Sequence, residues 1–155
     1  MRLDLYQAET ARIATEQSAL LALAKQRFVD GLALSPLEQS GVLHALQILI
    51  DNAIGKAKQL IKAQEEAVPV SAYDAFAALT RRETISQDLL PAWNAIIGLR
   101  NRIVHDYMNI DMQRVQELVA MGRYAFVTAF LLKPTSCLIA EESWLSGGRH
   151  GSGNS

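Results

Sequence analysis

The chain has 155 residues, half of them apolar and 20% charged, a composition that fits one globular domain with a hydrophobic core and excludes a disordered polymer. Fifteen basic and sixteen acidic residues leave a formal charge of -1, so nucleic acid cannot be held by bulk positive charge and any such chemistry needs a local site. Cys137 is the only cysteine, which excludes a disulfide within the chain and a cysteine-based zinc site.

The N-terminal stretch "MRLDLYQAETARIATEQ" spreads charge along its length and lacks the continuous apolar segment of a signal peptide. The longest apolar run, "YAFVTAFLL", falls far short of the ~20 residues that span a bilayer. A soluble cytoplasmic protein without membrane association is expected. Apolar residues recur at helical intervals and almost nowhere with period two, so the chain reads as all-α. A first helix is expected over residues 3–28, with Tyr6, Ile13, Leu20, Leu21, Ala24 and Phe28 on one stripe.

A second helix opens at "SPLE", with Ser35 as N-cap, Pro36 at the first helical position and Glu38 completing a capping box. Its stripe is Leu43, Leu46, Ile50, Ile54, Ala57 and Ile61; His44 on this helix reads as structural. Ser71 and Asp74 resemble another cap, opening a short helix through "AYDAFAAL". Ser86 then caps a fourth helix whose first turn holds Pro91. Asp111 caps one last long helix with the stripe Val115, Leu118, Gly122, Ala125, Phe126 and Ala129. The tail "SGGRHGSGNS", which holds His150, is too polar and glycine-rich to fold by itself, and Trp144 is a local docking anchor at most. The expected architecture is therefore an up-and-down bundle of about five helices over residues 1–133, followed by a C-terminal extension, 134–155, with a flexible end.

The fourth helix carries the one stretch that ordinary packing does not explain, "GLRNRIVHDYMNID" over residues 98–111. With Trp93 at the centre of the apolar stripe and about 100° per residue, Leu89, Ile96, Ile97, Ile103 and Val104 fall on that stripe, and so do Arg100 and Tyr107. An unpaired guanidinium is costly to bury, so Arg100 needs a partner, a cleft or another subunit. His105 falls on a different side, shared with Asn94, Gly98 and Asn101. Arg100 and His105 diverge by about 140° with a rise near ~7.5 Å, so one straight helix cannot readily aim both at a single phosphate. The spacing fits better with a helix distorted there, or with two copies of the segment meeting across a dimer so that each site combines residues from both chains. Asn101, four residues before His105, is placed to hydrogen-bond its ring, and Arg102, four before Asp106, to form a weak surface pair.

The string "RNRIVHDY", in which Arg100 is followed by four residues, His105, one residue and Tyr107, resembles the signature of HEPN-domain ribonucleases, specifically the HepT-like toxin branch. "ALQILIDNAIGKAKQLI" is similar to the second-helix pattern of that family with its internal aspartate, here Asp51, and "YMNIDMQRVQELV" to its entry into the last helix. The similarity covers roughly residues 35–130; the first helix matches in character only, and the tail has no counterpart. The resemblance implies a metal-independent endoribonuclease toxin of a type VII toxin–antitoxin system, without cofactor, acting on RNA as a homodimer whose two motif segments form one cleft. Arg100 would bind the phosphate and stabilise the transition state, His105 would act as general acid/base, Asn101 would orient His105, and Asp51 would hold Arg100. RNA would be cut by 2′-hydroxyl attack, leaving a 2′,3′-cyclic phosphate. Tyr107 would accept AMP from an MntA-like nucleotidyltransferase antitoxin, and the added charge and bulk would block the site.

Two other readings remain open from the residues. One is a non-catalytic HEPN module that binds a nucleotide or a nucleotidyltransferase partner. The other is a structural helical dimer with Arg100 in an interface ion pair.

Overall fold

A computed structural model describes residues 3–135 and Leu138. Its helices are α1 (Leu3–Val29), α2 (Pro36–Ala63), α3 (Ala72–Arg81), α4 (Leu90–His105), α5 (Met112–Ala120) and α6 (Ala125–Leu132), and single 3₁₀ turns stand at Gln87–Leu89 and Tyr107–Asn109. No strand occurs among the described residues. The expected all-α bundle is what forms.

α2 is the central element, packed against α1, α3, α4 and α6. Its start is determined locally: Ser35 Oγ accepts from the Glu38 backbone N–H, and the Glu38 carboxylate accepts from the Ser35 N–H. Such a box contributes on the order of 1 kcal/mol. Leu43, Leu46, Leu49, Ile50, Ala53, Ala57, Leu60 and Ile61 are buried, a stripe wider than a surface helix shows because α2 has neighbours on several sides.

The expected stripe of α1 is corrected in one register. Thr10, Ala14, Leu21 and Ala24 are buried, whereas Leu20 is 52% exposed. Thr10 and two alanines lie on that buried face, so hydrophobicity alone does not reveal it.

The expected last helix is two helices. Gly122 takes φ +65, and α5 and α6 meet at a bend of 59°. Only glycine adopts that backbone without strain, so the residue assigned to an apolar stripe is the corner instead. No single helix among the described residues is long and apolar enough to cross a membrane; α5 and α6 qualify only as this bent pair, and Val115, Val119, Val127, Phe130 and Leu131 are buried in the bundle.

Trp93 of α4 anchors the helix that carries the motif. Its ring stacks on Phe76 of α3 at 4.2 Å between centroids and meets Phe126 and Phe130 edge-on at 4.8 and 5.3 Å. Burying each such phenylalanine contributes roughly 1.5–3 kcal/mol, and the stacked geometry sets the rotation of α4 about its axis. Beneath this cluster, fully buried Lys56 of α2 donates to the Phe130, Leu131 and Lys133 carbonyls at 2.7, 3.3 and 2.5 Å. These are C-terminal carbonyls of α6, the negative end of its dipole. Gln7 fastens the same end to α1, donating to the Leu131 carbonyl and accepting from the Thr135 N–H and hydroxyl. Leu138 also joins the core, so the packed body continues past residue 133. Cys137, Trp144, His150 and the glycine-rich end lie outside the described residues.

Candidate active site

α4 follows regular α-helical geometry through His105 and stops because Asp106 leaves it, at φ -143 and ψ 43. The distortion that would have let one helix aim Arg100 and His105 together is absent. Within one chain, then, α4 carries Arg100 and His105 on different sides.

Arg100 is the best-anchored member. Its Nε–H donates to Asp51 Oδ1 of α2 at 2.6 Å, and its Nη1 donates to Asn101 Oδ1 at 3.2 Å. The pair is partly solvated, with side-chain exposures of 28% for Arg100 and 37% for Asp51. This explains how a guanidinium sits beside an apolar stripe: α2 offers a carboxylate one helix away, and part of the side chain stays exposed. Nη2 has no protein partner among the described residues, which leaves donors for an anion.

Asn101 turns away from the role expected for it. Its carbonyl oxygen accepts from Arg100 and its Nδ2 donates to the Tyr73 hydroxyl at 3.5 Å. The amide is thus committed to the Arg100 side of α4, and no hydrogen bond to His105 forms. His105 is exposed on the last turn. His44 is exposed on α2 rather than packed.

Tyr107 is not on the apolar stripe, since the helix has ended. It stands in the 3₁₀ turn Tyr107–Asn109, 45% exposed, and its hydroxyl donates to Ser40 Oγ of α2 at 3.1 Å. Asn109 Nδ2 donates to the Asp106 carboxylate at 2.7 Å and closes that turn, and the expected Arg102–Asp106 pair does not form among the described residues. Val104 and Met108 are exposed beside these residues, as is Leu37 at the start of α2.

A groove of about 520 Å³ runs beside Arg100 between α2, α4 and the start of α3, lined by Asp51, Lys58, Ser71, Tyr73, Arg100 and Asn101 among others. Lys58 Nζ donates to the Val70 carbonyl at 2.9 Å and helps hold the loop before α3 in place. Tyr73, Lys58 and Ser40 carry no sequence signal of their own. They reach the site only because α2, α3 and α4 pack together. Among the described residues no three His, Cys, Asp or Glu side chains gather as a metal-ligand set.

A family model described as Ribonuclease HepT-like matches residues 13–130. The curated mRNA nuclease HepT of Shewanella oneidensis is 31% identical over 81 residues, which cover 52% of this chain and 61% of that protein. The matched segment thus spans about three fifths of the relative's length. A crystal structure of a toxin–antitoxin with AMP-PNP contains a chain that superposes with a TM-score of 0.69 at 19% identity, covering 81% of this chain and 97% of its own length. The structure of the tri-AMPylated Shewanella oneidensis HEPN toxin in complex with MNT antitoxin gives a TM-score of 0.60 at 24% identity, over 77% of this chain and 96% of that one. At these identities the structural likeness speaks to the fold.

Proposed function

The chain belongs to the ribonuclease HepT-like family, and from that premise we propose that it is a metal-independent endoribonuclease, the toxin of a toxin–antitoxin pair, cutting RNA at a site shared by two copies of the chain. The observation that carries this reading is Arg100, fixed on one edge by Asp51 and left with unclaimed donors on the other, five residues before an exposed His105 on an unbroken helix.

In the proposed reaction a neutral His105 imidazole takes the proton of the ribose 2′-hydroxyl. The 2′-oxygen attacks the adjacent phosphorus, the bond from phosphorus to the 5′-oxygen breaks, and that oxygen takes a proton from an imidazolium. The products are a 2′,3′-cyclic phosphate and a 5′-hydroxyl. Two copies of His105 in one cleft supply the base and the acid. An imidazole suits both tasks because it changes protonation within the physiological range. The phosphorane gathers negative charge on its equatorial oxygens, and the Arg100 guanidinium, positioned before the reaction, stabilises that charge. Asp51 sets the direction of Arg100, and Asn101 braces it from the same helix.

Tyr107 is the proposed acceptor of AMP. Its oxygen attacks the α-phosphorus of ATP bound by an MntA-like nucleotidyltransferase, its proton is lost, and pyrophosphate leaves. The hydroxyl gives up its bond to Ser40, and an anionic ester then stands two residues from His105, where it repels the RNA phosphate. Exposure of Tyr107 and its place in a short turn outside α4 support this use.

The test of the chemistry is a labelled DNA strand containing one ribonucleotide. Cleavage after that ribonucleotide, and its loss when the position is 2′-O-methylated, is the expected result. Cleavage that ignores the 2′-hydroxyl would overturn the mechanism.

A further inference from the structure

A second groove, of about 630 Å³, lies between α4 and α5 on the side of α4 away from Arg100. Asn94, Gly98 and Arg102 line its α4 wall. They precede His105 by eleven, seven and three residues, so all share the side of the helix on which His105 stands. Arg114 and Arg123 line the opposite wall and end of the groove, and half-buried Leu99, Ile110 and Leu118 form part of its floor.

The charges here are not those of an ordinary solvated face. Arg102 is exposed and forms no ion pair among the described residues. Arg123 is likewise exposed and has no ion-pair partner among them. Of the two carboxylates lining the groove, Asp111 is occupied as the N-cap of α5 and in a 3.6 Å contact with Arg114, which leaves Glu117. Three guanidiniums against two carboxylates make this groove net positive in a chain whose formal charge is -1.

We propose that the α4–α5 groove is a phosphate track for single-stranded RNA, carrying the strand that flanks the scissile bond away from His105. The inference rests on the ribonuclease reading. An enzyme that cuts inside a chain must accommodate the strand beyond the reacting phosphate, and this groove begins one helical turn from His105. Its guanidiniums offer paired donors to phosphate oxygens. In a protein that lacks bulk positive charge, such a local set is what gives a polyanion a preferred path.

The experiment uses a fluorescein-labelled single-stranded RNA, 2′-O-methylated throughout so that it binds without being cut. Its dissociation constant is measured by anisotropy over a range of salt for the parent, the double variant Arg102→Gln with Arg123→Gln, and Arg12→Gln, an exposed α1 residue that does not line the groove. All three changes are at exposed positions, and matching melting curves show that the fold is kept. The double variant should bind more weakly, with a slope of log affinity against log salt shallower by about 1.4, since each single-strand phosphate contact contributes about 0.7. Arg12→Gln should match the parent. If the double variant keeps the parent's affinity and slope while the parent cleaves RNA, the track is wrong and the ribonuclease reading stands. If RNA binding is unchanged but the antitoxin no longer co-purifies, the groove is a protein dock and the track is again overturned. If the parent neither cleaves nor binds RNA, both readings fall.

Discussion

Arg100 Nε and Asp51 Oδ1 lie 2.6 Å apart and tie α4 to α2 across 49 positions of sequence. The contact does two things. It lets a cation rest against the core stripe, and it fixes which edge of the guanidinium remains for a ligand. A partly solvated pair contributes little to stability, below about 1 kcal/mol, so its value lies in orientation.

Asp51→Asn separates these effects. RNA cleavage should fall by on the order of tenfold or more, less than the 10²–10³ typical of losing a transition-state donor outright, because the guanidinium remains but is no longer aimed. Thermal melting should stay close to that of the parent. Cleavage rates and melting curves on one preparation check both statements.

Tyr107→Phe removes the proposed AMP acceptor and the bond to Ser40 but little packing, since the ring is already half exposed. The variant should cleave RNA about as well as the parent. Co-expressed with an active nucleotidyltransferase partner, it should show no added AMP by intact mass, whereas the parent should.

Lys56 links pH to stability in an uncommon direction. Burial, with a smaller effect from the Lys133 ammonium, pushes its pKa down from 10.5 to about 8. Below pH 8 the amine is charged in both the folded and the unfolded chain, and the fold bears the full cost of burying it. Between about 8 and 10.5 the folded amine loses its proton first, so the unfolded state binds more protons and stability rises with pH. Relative to Lys56→Met, the parent should gain about 2 kcal/mol between pH 7 and pH 9.5, at about 1.4 kcal/mol per unit above pH 8. Urea unfolding of both proteins at the two pH values measures it.

Gly122→Ala should cost about 1–2 kcal/mol, the penalty of a left-handed residue with a Cβ. The added methyl would meet only Lys25 Nζ, at an ordinary 3.5 Å, so the cost is one of backbone and not of crowding. Melting should drop while RNA cleavage per folded molecule is unchanged.

What the sequence makes legible here is local or periodic. Ser35, Pro36 and Glu38 announce α2 because every atom of the capping box lies within four residues. The α2 stripe is read well for the same reason, with Ile54 alone remaining half-buried. Registers set by a neighbouring helix are less legible. Leu20 is exposed and Ala14 buried because the neighbouring helices cover a different arc of α1 than its large apolar residues mark, and Leu89 and Val104 are half-exposed because α4 is covered on a narrower arc than its composition suggests. Gly122 looks like one more small residue on a stripe until the bend is seen. At the site, Arg100 is conspicuous from its helical angle, and Asp51 emerges through a family pattern. Ser40 and Tyr73 are invisible in the sequence because hydrogen bonds across 67 and 28 positions leave no periodic trace. Spacing alone points Asn101 to His105, but its amide accepts from Arg100 and donates to Tyr73 instead.

The most direct test of the account compares RNA cleavage by the parent, Arg100→Ala and His105→Ala at matched folded concentration. The parent should cleave internally to leave 2′,3′-cyclic phosphate ends, and each variant should lose at least a hundredfold in rate, the usual scale for a lost acid/base or oxyanion donor. Cleavage by both variants at the parent's rate would contradict it.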